Sequence, residues 1–174
     1  MNKKLLIIKK QEENKKYIND HIKNVQRAWI EVQAKCKNTL DDLLGGYSDV
    51  IIKMVDDEIL YHDESKFSEE EFEAYRKNFF PINEEEKKQN EEDFKNALNH
   101  HYMNNTHHWN YWYLTNRMDD MYITDIVHMI CDWQGMGYKF GNNALQYYEK
   151  NKEEIKLGTT QRKYLEILLH ALCD

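Results

Sequence analysis

Apolar residues recur at steps of three and four along most of the chain, a spacing that places them on one face of an α-helix. The longest such stripe predicts a first helix over residues 12–44. His21 lies on this stripe among apolar side chains, and Gly45 and Gly46 follow its end. We therefore expect a long first helix that buries one face and carries a histidine on that face.

The same spacing continues in shorter segments after the glycine pair. Further helices are predicted over residues 48–62, 68–79, 92–102, 118–133, 143–154 and 160–172. Ser48 is expected to cap the second helix, and the S-x-x-E sequence from Ser68 to Glu71 predicts a capping box that opens the third. Pro81 is expected to close that third helix.

Two segments break the helical pattern. The acidic stretch over residues 83–92 reads as a solvated loop that leads into a helix, and the aromatic stretch over residues 104–116 reads as irregular at its beginning. Gly135, Gly137 and Gly141 are expected to interrupt the chain after the fifth helix.

These patterns predict an all-α fold, a single compact bundle of about six or seven helices that forms one domain over residues 1–174. The composition favours the same fold class. One proline and six glycines are too few turn-formers for the many tight hairpins of a sandwich or barrel. Hydrophobic residues make up 41% of the chain, which is typical of a folded protein.

The charge balance argues against bulk nucleic-acid binding. The net charge is -7, and no cluster of lysines and arginines is free of interleaved acids. A small phosphorylated substrate stays compatible with this charge, because a metal ion can supply the positive charge that phosphate requires.

The cysteines and the start of the chain point to a cytoplasmic protein. The three cysteines are odd in number and form no C-x-x-C pair, so a disulfide framework is not expected. The apolar run over residues 5–8 is too short for a signal peptide or a membrane span, so no membrane partner is expected.

The placement of the eight histidines is the most informative chemical feature. The candidate residues are His21, the adjacent pair His62 and Asp63, the group His100, His101, His107 and His108, and finally His128 and Asp132. Imidazole and carboxylate groups on several helices can together hold a transition metal. Taken alone, a histidine on an apolar face is more often a hydrogen-bonded core residue than a ligand.

The order of these residues resembles the HD-domain superfamily of metal-dependent phosphohydrolases. Its pattern of an early helical histidine, a His-Asp doublet and a late aspartate is matched by His21, His62-Asp63 and Asp132. The doublet reads HDESK, so Lys66 also matches the H-D-x-x-K form that many members carry. The resemblance covers about residues 20–141, and the N-x-H-H-W-x-Y-W block over residues 105–112 is similar to one in a smaller, uncharacterised HD-like family.

The resemblance implies a ligand set. His21, His62, Asp63 and Asp132 would hold one ion, and Asp63 would bridge to a second. The second ion would be held by His101 and His107, with His100 and His108 as adjacent alternatives. Such sites take one or two divalent transition-metal ions, among them Mn, Fe, Co, Ni and Zn, and Mg also fits.

The implied activity is hydrolysis of a phosphate ester of a nucleotide or similar small phosphorylated molecule by a metal-bound hydroxide. The catalytic residues would be Asp63, Lys66 and His128. Lys66 would contact phosphate and His128 would contact substrate or support a ligand, although a surface lysine and a core histidine remain equal alternatives. The aromatic residues over 109–113 would fill the core or stack a nucleobase. Any that are exposed could instead form the interface of a homodimer.

Three other functions fit the same residues. A di-iron oxygenase would use the same ligands with oxygen. A non-catalytic binding module would hold a structural metal with every coordination position filled. A helical protein whose histidines only pack would bind no metal.

Overall fold

The computed structural model describes residues 2–174, and the predicted all-α fold is confirmed because these residues form helices and no strand. Over the described residues the α-helices are α1 Lys3–Leu44, α2 Ser48–Leu60, α3 Phe72–Phe79, α4 Glu84–Gln89, α5 Glu91–Asn104, α6 Trp109–Leu114, α7 Ile123–Phe140, α8 Ala144–Asn151 and α9 Thr159–Cys173. Short 3₁₀ helices span Glu64–Phe67 and Met118–Asp120.

The helix count exceeds the expected six or seven because two short helices lie in segments that periodicity leaves undefined. Helix α4 occupies much of the acidic stretch that was predicted to be a loop, and Asn83 caps it by accepting a hydrogen bond from the backbone N–H of Glu86. Helix α6 follows the irregular residues 105–108. Neither helix reaches two full turns, so neither contains a repeat of an apolar stripe.

The predicted caps of α2 and α3 are wrong. Ser48 is the first residue of α2 and not its cap, and its hydroxyl donates to the carboxylate of Asp41. Glu71 is the cap residue of α3, but its side chain makes no capping bond. It accepts hydrogen bonds from two histidines instead, which are stronger partners for a buried carboxylate than a backbone N–H.

The prediction that Gly135 and Gly137 interrupt the chain is also wrong, since both lie inside α7. A Cβ atom on Gly135 would lie 2.9 Å from the backbone nitrogen of Val25, so the glycine permits a close approach of two helices. Gly141 does end α7, in the left-handed conformation with φ of 74°.

The contacts divide the described residues into two compact units. The first unit comprises the residues up to Asp20 together with Asp63–Asn105. Within it, α3 packs against α4 and α5, and a small apolar core contains Ala74, Tyr75 and Ala97. The prediction of one domain over the whole chain stays a prediction.

The second unit comprises His21–His62 and Thr106–Asp174. Helix α7 contacts α2, α8 and α9, and nearly all of its residues from Thr124 to Gly137 are buried. A helix that is buried on all sides is typical of the centre of a core. Among the described residues, none of the helices combines the length and the apolar composition that a membrane span needs.

Candidate metal centre

Three of the predicted ligands meet inside the second unit. His21 lies on α1, His62 follows the end of α2, and Asp132 lies on α7. The Nε2 atom of His21 lies 3.0 Å from Nε2 of His62 and 3.0 Å from Oδ1 of Asp132. The distance between His62 Nε2 and Asp132 Oδ1 is 3.9 Å.

This spacing fits a shared cation. Ligand atoms around a tetrahedral ion at roughly 2.0–2.1 Å lie roughly 3.3 Å from one another, close to the separations of these three atoms. All three residues are buried, and none is more than 8% exposed. Two imidazoles and one carboxylate are a donor set that Zn, Mn and Fe accept. The residues present therefore fit a divalent transition-metal ion.

The charge state of Asp132 suits a metal ligand. Burial by itself raises the pKa of this carboxyl, but a hydrogen bond from His21 and the nearby positive charge of His21 and His62 outweigh it. The net effect holds the pKa of Asp132 well below its ordinary range. The residue is therefore a carboxylate at neutral pH, the form in which it can bind a cation.

The close approach of α1 and α7 places two of the ligands. His21 precedes Val25 by four positions, and Asp132 precedes Gly135 by three, so each ligand lies about one helical turn from the contact between Val25 and Gly135. Because side chains one turn apart share a helix face, the contact directs His21 and Asp132 toward each other.

His128 supports His62 from the side opposite to the other ligands. Its Nε2 atom lies 2.8 Å from Nδ1 of His62, and its own Nδ1 lies 3.5 Å from Oε2 of Glu58. A metal-binding histidine usually has its second ring nitrogen fixed by such a partner, which sets its tautomer and orientation. This geometry fits the predicted supporting role of His128 better than a ligand role.

His107 also lies in this histidine cluster. Its ring stacks on that of His128 at 4.1 Å between centroids and lies 4.8 Å from that of His62. One nitrogen from each of His62, His107 and His128 can be chosen so that all three lie within 4.8 Å of one another. His108 is the next ring, 4.3 Å from His107.

The other predicted residues form a second cluster, which lies in the first unit. Asp63 accepts a hydrogen bond from Lys66, and its Oδ1 atom lies 3.3 Å from Nε2 of His101. The Nδ1 atom of His101 lies 3.0 Å from Oε2 of Glu71. His100 contacts the other oxygen of Glu71 at 2.8 Å. Of the two alternatives, His101 is therefore the histidine that contacts Asp63.

The protonation states in this cluster depend on its carboxylates. Burial lowers the pKa of His101, but hydrogen bonds to Asp63 and Glu71 outweigh burial and raise it above its ordinary value of 6.5. Burial also raises the pKa of Glu71, and the hydrogen bonds from His101 and His100 reverse this and lower it. Glu71 is therefore a buried anion that orients His101 toward Asp63.

Two ligand assignments stay predictions. Asp63 directly follows His62 in the chain, but it belongs to the first unit and His62 to the second. His101 and His107 are divided in the same way. The joint ligation of one ion by Asp63 and His62, or of a second ion by Asp63, His101 and His107, is therefore an inference from the resemblance alone.

Two supporting carboxylates were not predicted from the sequence. Glu58 precedes His62 by four positions, but α2 ends at Leu60 and Glu58 contacts His128 on α7 instead, so this spacing does not identify its partner. Glu71 fits the glutamate of a capping box, and no local pattern distinguishes that role from a bond to a histidine more than 25 positions away.

Replacement of Glu71 by glutamine is expected to lower the free energy of unfolding of the metal-free protein by about 1.5–3 kcal/mol, because a buried bond to a charged histidine is lost. The folded-state pKa of His101 is raised, so the charged ring stabilises the folded protein below pH 6.5 and this contribution disappears as the pH rises through the folded pKa. Urea denaturation should therefore show a larger loss below pH 6.5 than well above it.

The control for this prediction is Glu69→Gln, because Glu69 is exposed and two positions away. We expect its free energy of unfolding to stay within about 0.5 kcal/mol of the parent. An equal loss in both variants, or a loss that does not depend on pH, would contradict the role assigned to Glu71.

Comparison with known sequences gives one match. The sequence model of DUF5662, described as a family of unknown function, matches residues 10–172, nearly the whole chain. A search of curated proteins found no match, and a search of solved structures found none either.

Proposed function

We propose that this chain, which belongs to the DUF5662 family, is a metal-dependent phosphohydrolase of the HD-domain type. Its substrate would be a phosphate ester of a nucleotide or of a similar small phosphorylated molecule. The observation that carries the proposal is the buried convergence of His21, His62 and Asp132, with ligand atoms 3.0–3.9 Å apart.

These three residues would hold a divalent transition-metal ion. When bound, such an ion lowers the pKa of a water molecule toward neutrality and offsets the negative charge of phosphoryl oxygens. Asp132 supplies a negative charge to the site. Burial raises its pKa, but the neighbouring histidines lower it by more, so the pKa lies well below the ordinary range. On binding an ion, His21 and His62 would release their protons and act as neutral ligands.

His128 and Glu58 would keep His62 in the orientation that binding requires. The hydrogen bond between His62 Nδ1 and His128 Nε2 leaves the Nε2 atom of His62 directed toward His21 and Asp132. Glu58 contacts the remaining nitrogen of His128 and favours the tautomer in which that nitrogen carries a proton. Both are positioning residues in this proposal.

The resemblance to the HD-domain superfamily implies that Lys66 would supply a fixed positive charge to an anionic substrate. Its ammonium group donates to Asp63 and lies 5.7 Å from the centre of the Tyr75 ring. These contacts restrict a side chain that is otherwise among the most flexible. Its conversion to Met removes the charge and keeps the apolar length, which makes Lys66→Met the variant that tests this role.

The proposal is tested by counting metals in the purified, untagged full-length chain and then assaying phosphate release. We expect one or two transition-metal ions per chain, either as isolated or after addition of Mn, Fe, Co, Ni or Zn. We also expect release of phosphate from nucleoside monophosphates, or opening of cyclic nucleotides, that stops on dialysis against a chelator.

Two outcomes would contradict the proposal. If the chain binds no metal after reconstitution, the histidines are residues that pack in the core and not metal ligands. A chain that binds metal but cleaves no phosphate ester would favour a structural ion, and an absorption spectrum typical of an oxygen-reactive iron pair would favour an oxygenase.

A further inference from the structure

The second unit contains an apolar cleft of about 340 Å³ at which α2, the chain before α6 and the start of α7 meet. Its apolar wall includes Ile51, Met54, Ile123, Trp112 and Tyr122. The Trp112 and Tyr122 rings meet edge to face at 5.8 Å, and Tyr122 is 64% exposed. Clefts of roughly 300–1,000 Å³ with apolar walls are typical of sites for small ligands.

Two carboxylates interrupt this apolar wall. Glu58 and Asp125 both line the cleft, and no described lining residue is a lysine, an arginine or a histidine. Asp125 is only 3% exposed and accepts a hydrogen bond from the hydroxyl of Thr106. The Oε2 atom of Glu58 is buried and makes no hydrogen bond, although it lies 3.5 Å from His128.

The chemistry of the cleft is therefore that of hydrogen-bond acceptors on an apolar wall. Burial raises the pKa of Asp125, the hydrogen bond from Thr106 offsets part of this rise, and the neighbouring charge of Glu58 adds to it. Two negative charges at this place are therefore costly without a cation or donor. A phosphate group would be repelled by the same carboxylates. A group that carries N–H donors would satisfy their oxygens, and a flat or apolar body would cover the wall.

We propose that this cleft binds an apolar or aromatic group that bears an amino function, and that this group is the part of the substrate that does not carry the phosphate. The first half concerns binding alone, and the second half rests on the proposed function. The amino group would donate to Glu58 and Asp125, and the ring or chain to which it is attached would lie against Trp112 and Tyr122.

Proximity to the histidine cluster supports the second half. Glu58 lines the cleft and contacts Nδ1 of His128, and Nε2 of His128 contacts His62 at 2.8 Å. Two side chains thus connect the cleft to a ligand of the proposed ion. A substrate with an amino-bearing end in the cleft would direct its opposite, anionic end away from the carboxylates.

Binding is tested with two probes of equal shape, benzylamine and benzyl alcohol, by calorimetry on the full-length chain. The measurement is made once after dialysis against a chelator and once with metal added. We expect benzylamine to bind at least about tenfold more tightly at neutral pH, since only its ammonium group forms charge-assisted hydrogen bonds with both carboxylates. Equal affinity for the two probes would overturn the proposal.

Variants locate the binding. Asp125→Asn and Glu58→Gln keep the shape of the cleft and remove one charge each, and we expect each to weaken benzylamine binding at least about fivefold. Glu58 is partly exposed, so its variant is expected to fold even if the Asp125 variant does not. Asp57→Asn is the matched control, because it removes the same charge from an exposed position on α2. An equal loss in the control variant would mean that only the overall charge matters.

Catalysis distinguishes the two sources of an amino group. Cytidine and uridine monophosphates differ at two adjacent ring positions, where cytosine carries an N–H₂ donor beside an acceptor nitrogen and uracil carries an oxygen beside a single N–H. If the group is a nucleobase, kcat/KM for the cytidine compound exceeds that for the uridine compound at least about tenfold, and Asp125→Asn abolishes the preference. If the group is an alkylamine, phosphoethanolamine is hydrolysed in preference to glycerol phosphate, with the same loss in the variant.

The two proposals fail separately. Selective binding of benzylamine without cleavage of any phosphate ester would support the proposed binding in the cleft and would contradict the proposed function. Phosphate release, together with equal affinity for the two benzyl probes and no preference for either amino-bearing substrate, would contradict the cleft proposal. The same result would still support the proposed hydrolase function.

Discussion

Substitution of His62 by alanine is expected to remove bound metal from the protein and to lower phosphate release by more than about 100-fold. Loss of a supporting partner alone typically costs roughly 10–100-fold in metal affinity or activity, and His62 contacts two other candidate ligands and one supporting histidine. The measurement is elemental analysis after exhaustive dialysis, followed by assay of phosphate release from the best substrate with and without added metal.

The control for this experiment is His170→Ala. His170 lies on α9, its side chain is 59% exposed, and its contact is with Asp174 at the end of the chain. We expect that variant to retain both metal and activity. Retention of metal by the His62 variant would show that the ion is bound at a site that does not include His62.

The same assay ranks the other histidines. His21→Ala should lose more metal than His128→Ala, because His21 contacts both His62 and Asp132 on the ligand side, whereas His128 contacts the opposite nitrogen of His62. The reverse order would mean that the ion is bound among His62, His107 and His128, whose nitrogens can also share one ion.

Substitution of Gly135 by alanine is expected to lower the free energy of unfolding by about 1–3 kcal/mol, the usual cost of adding volume to a packed core. In an unconstrained helix the same change stabilises by roughly 0.5–1 kcal/mol, so the sign of the effect is itself informative. The added Cβ would lie 2.9 Å from the backbone nitrogen of Val25 and 3.0 Å from its Cγ2. The backbone atom cannot turn aside, so α1 and α7 must separate.

This variant should also bind metal more weakly, since the separation of α1 from α7 moves His21 away from Asp132. Urea denaturation of the metal-free protein gives the stability, and calorimetric titration with Mn or Zn gives the affinity. Lys163→Ala, at an exposed position of α9, controls for the introduction of alanine into a helix and should change stability by less than about 0.5 kcal/mol. A stabilised Gly135→Ala variant would show that the helices are not in close contact there.

The long helices were predictable because their apolar stripes extend over several turns. The end of α1 at Leu44 and the positions of α8 and α9 agree with the prediction to within a few residues. The start of α1 at Lys3 was missed by nine positions, because lysine and glutamine favour a helix without forming a clear stripe. The glycines of α7 were misread because a local pattern does not reveal a neighbouring helix that requires their small size.

The candidate site was predictable in part for a related reason. Short polar signals in a fixed order identified His21, His62 and Asp132, which the structure brings together from positions up to 111 apart in the chain. The supporting contacts of Glu58 and Glu71 depend on tertiary packing. No spacing rule in one sequence shows which carboxylate among 31 acidic residues will contact a histidine.

The backbone at Asp63 has a consequence for how this position can vary. Its φ is 58°, in the left-handed region, where most side chains cost about 1–2 kcal/mol and only glycine, asparagine and aspartate are common. Exchange of one acid for the other is among the mildest substitutions on most protein surfaces. Here glutamate would keep the charge and oppose the turn, whereas asparagine or glycine would keep the turn and discard the charge. Among the residues that are common at this φ, aspartate alone is negatively charged, so a substitution at position 63 gives up either the favoured turn or the charge that contacts Lys66 and His101.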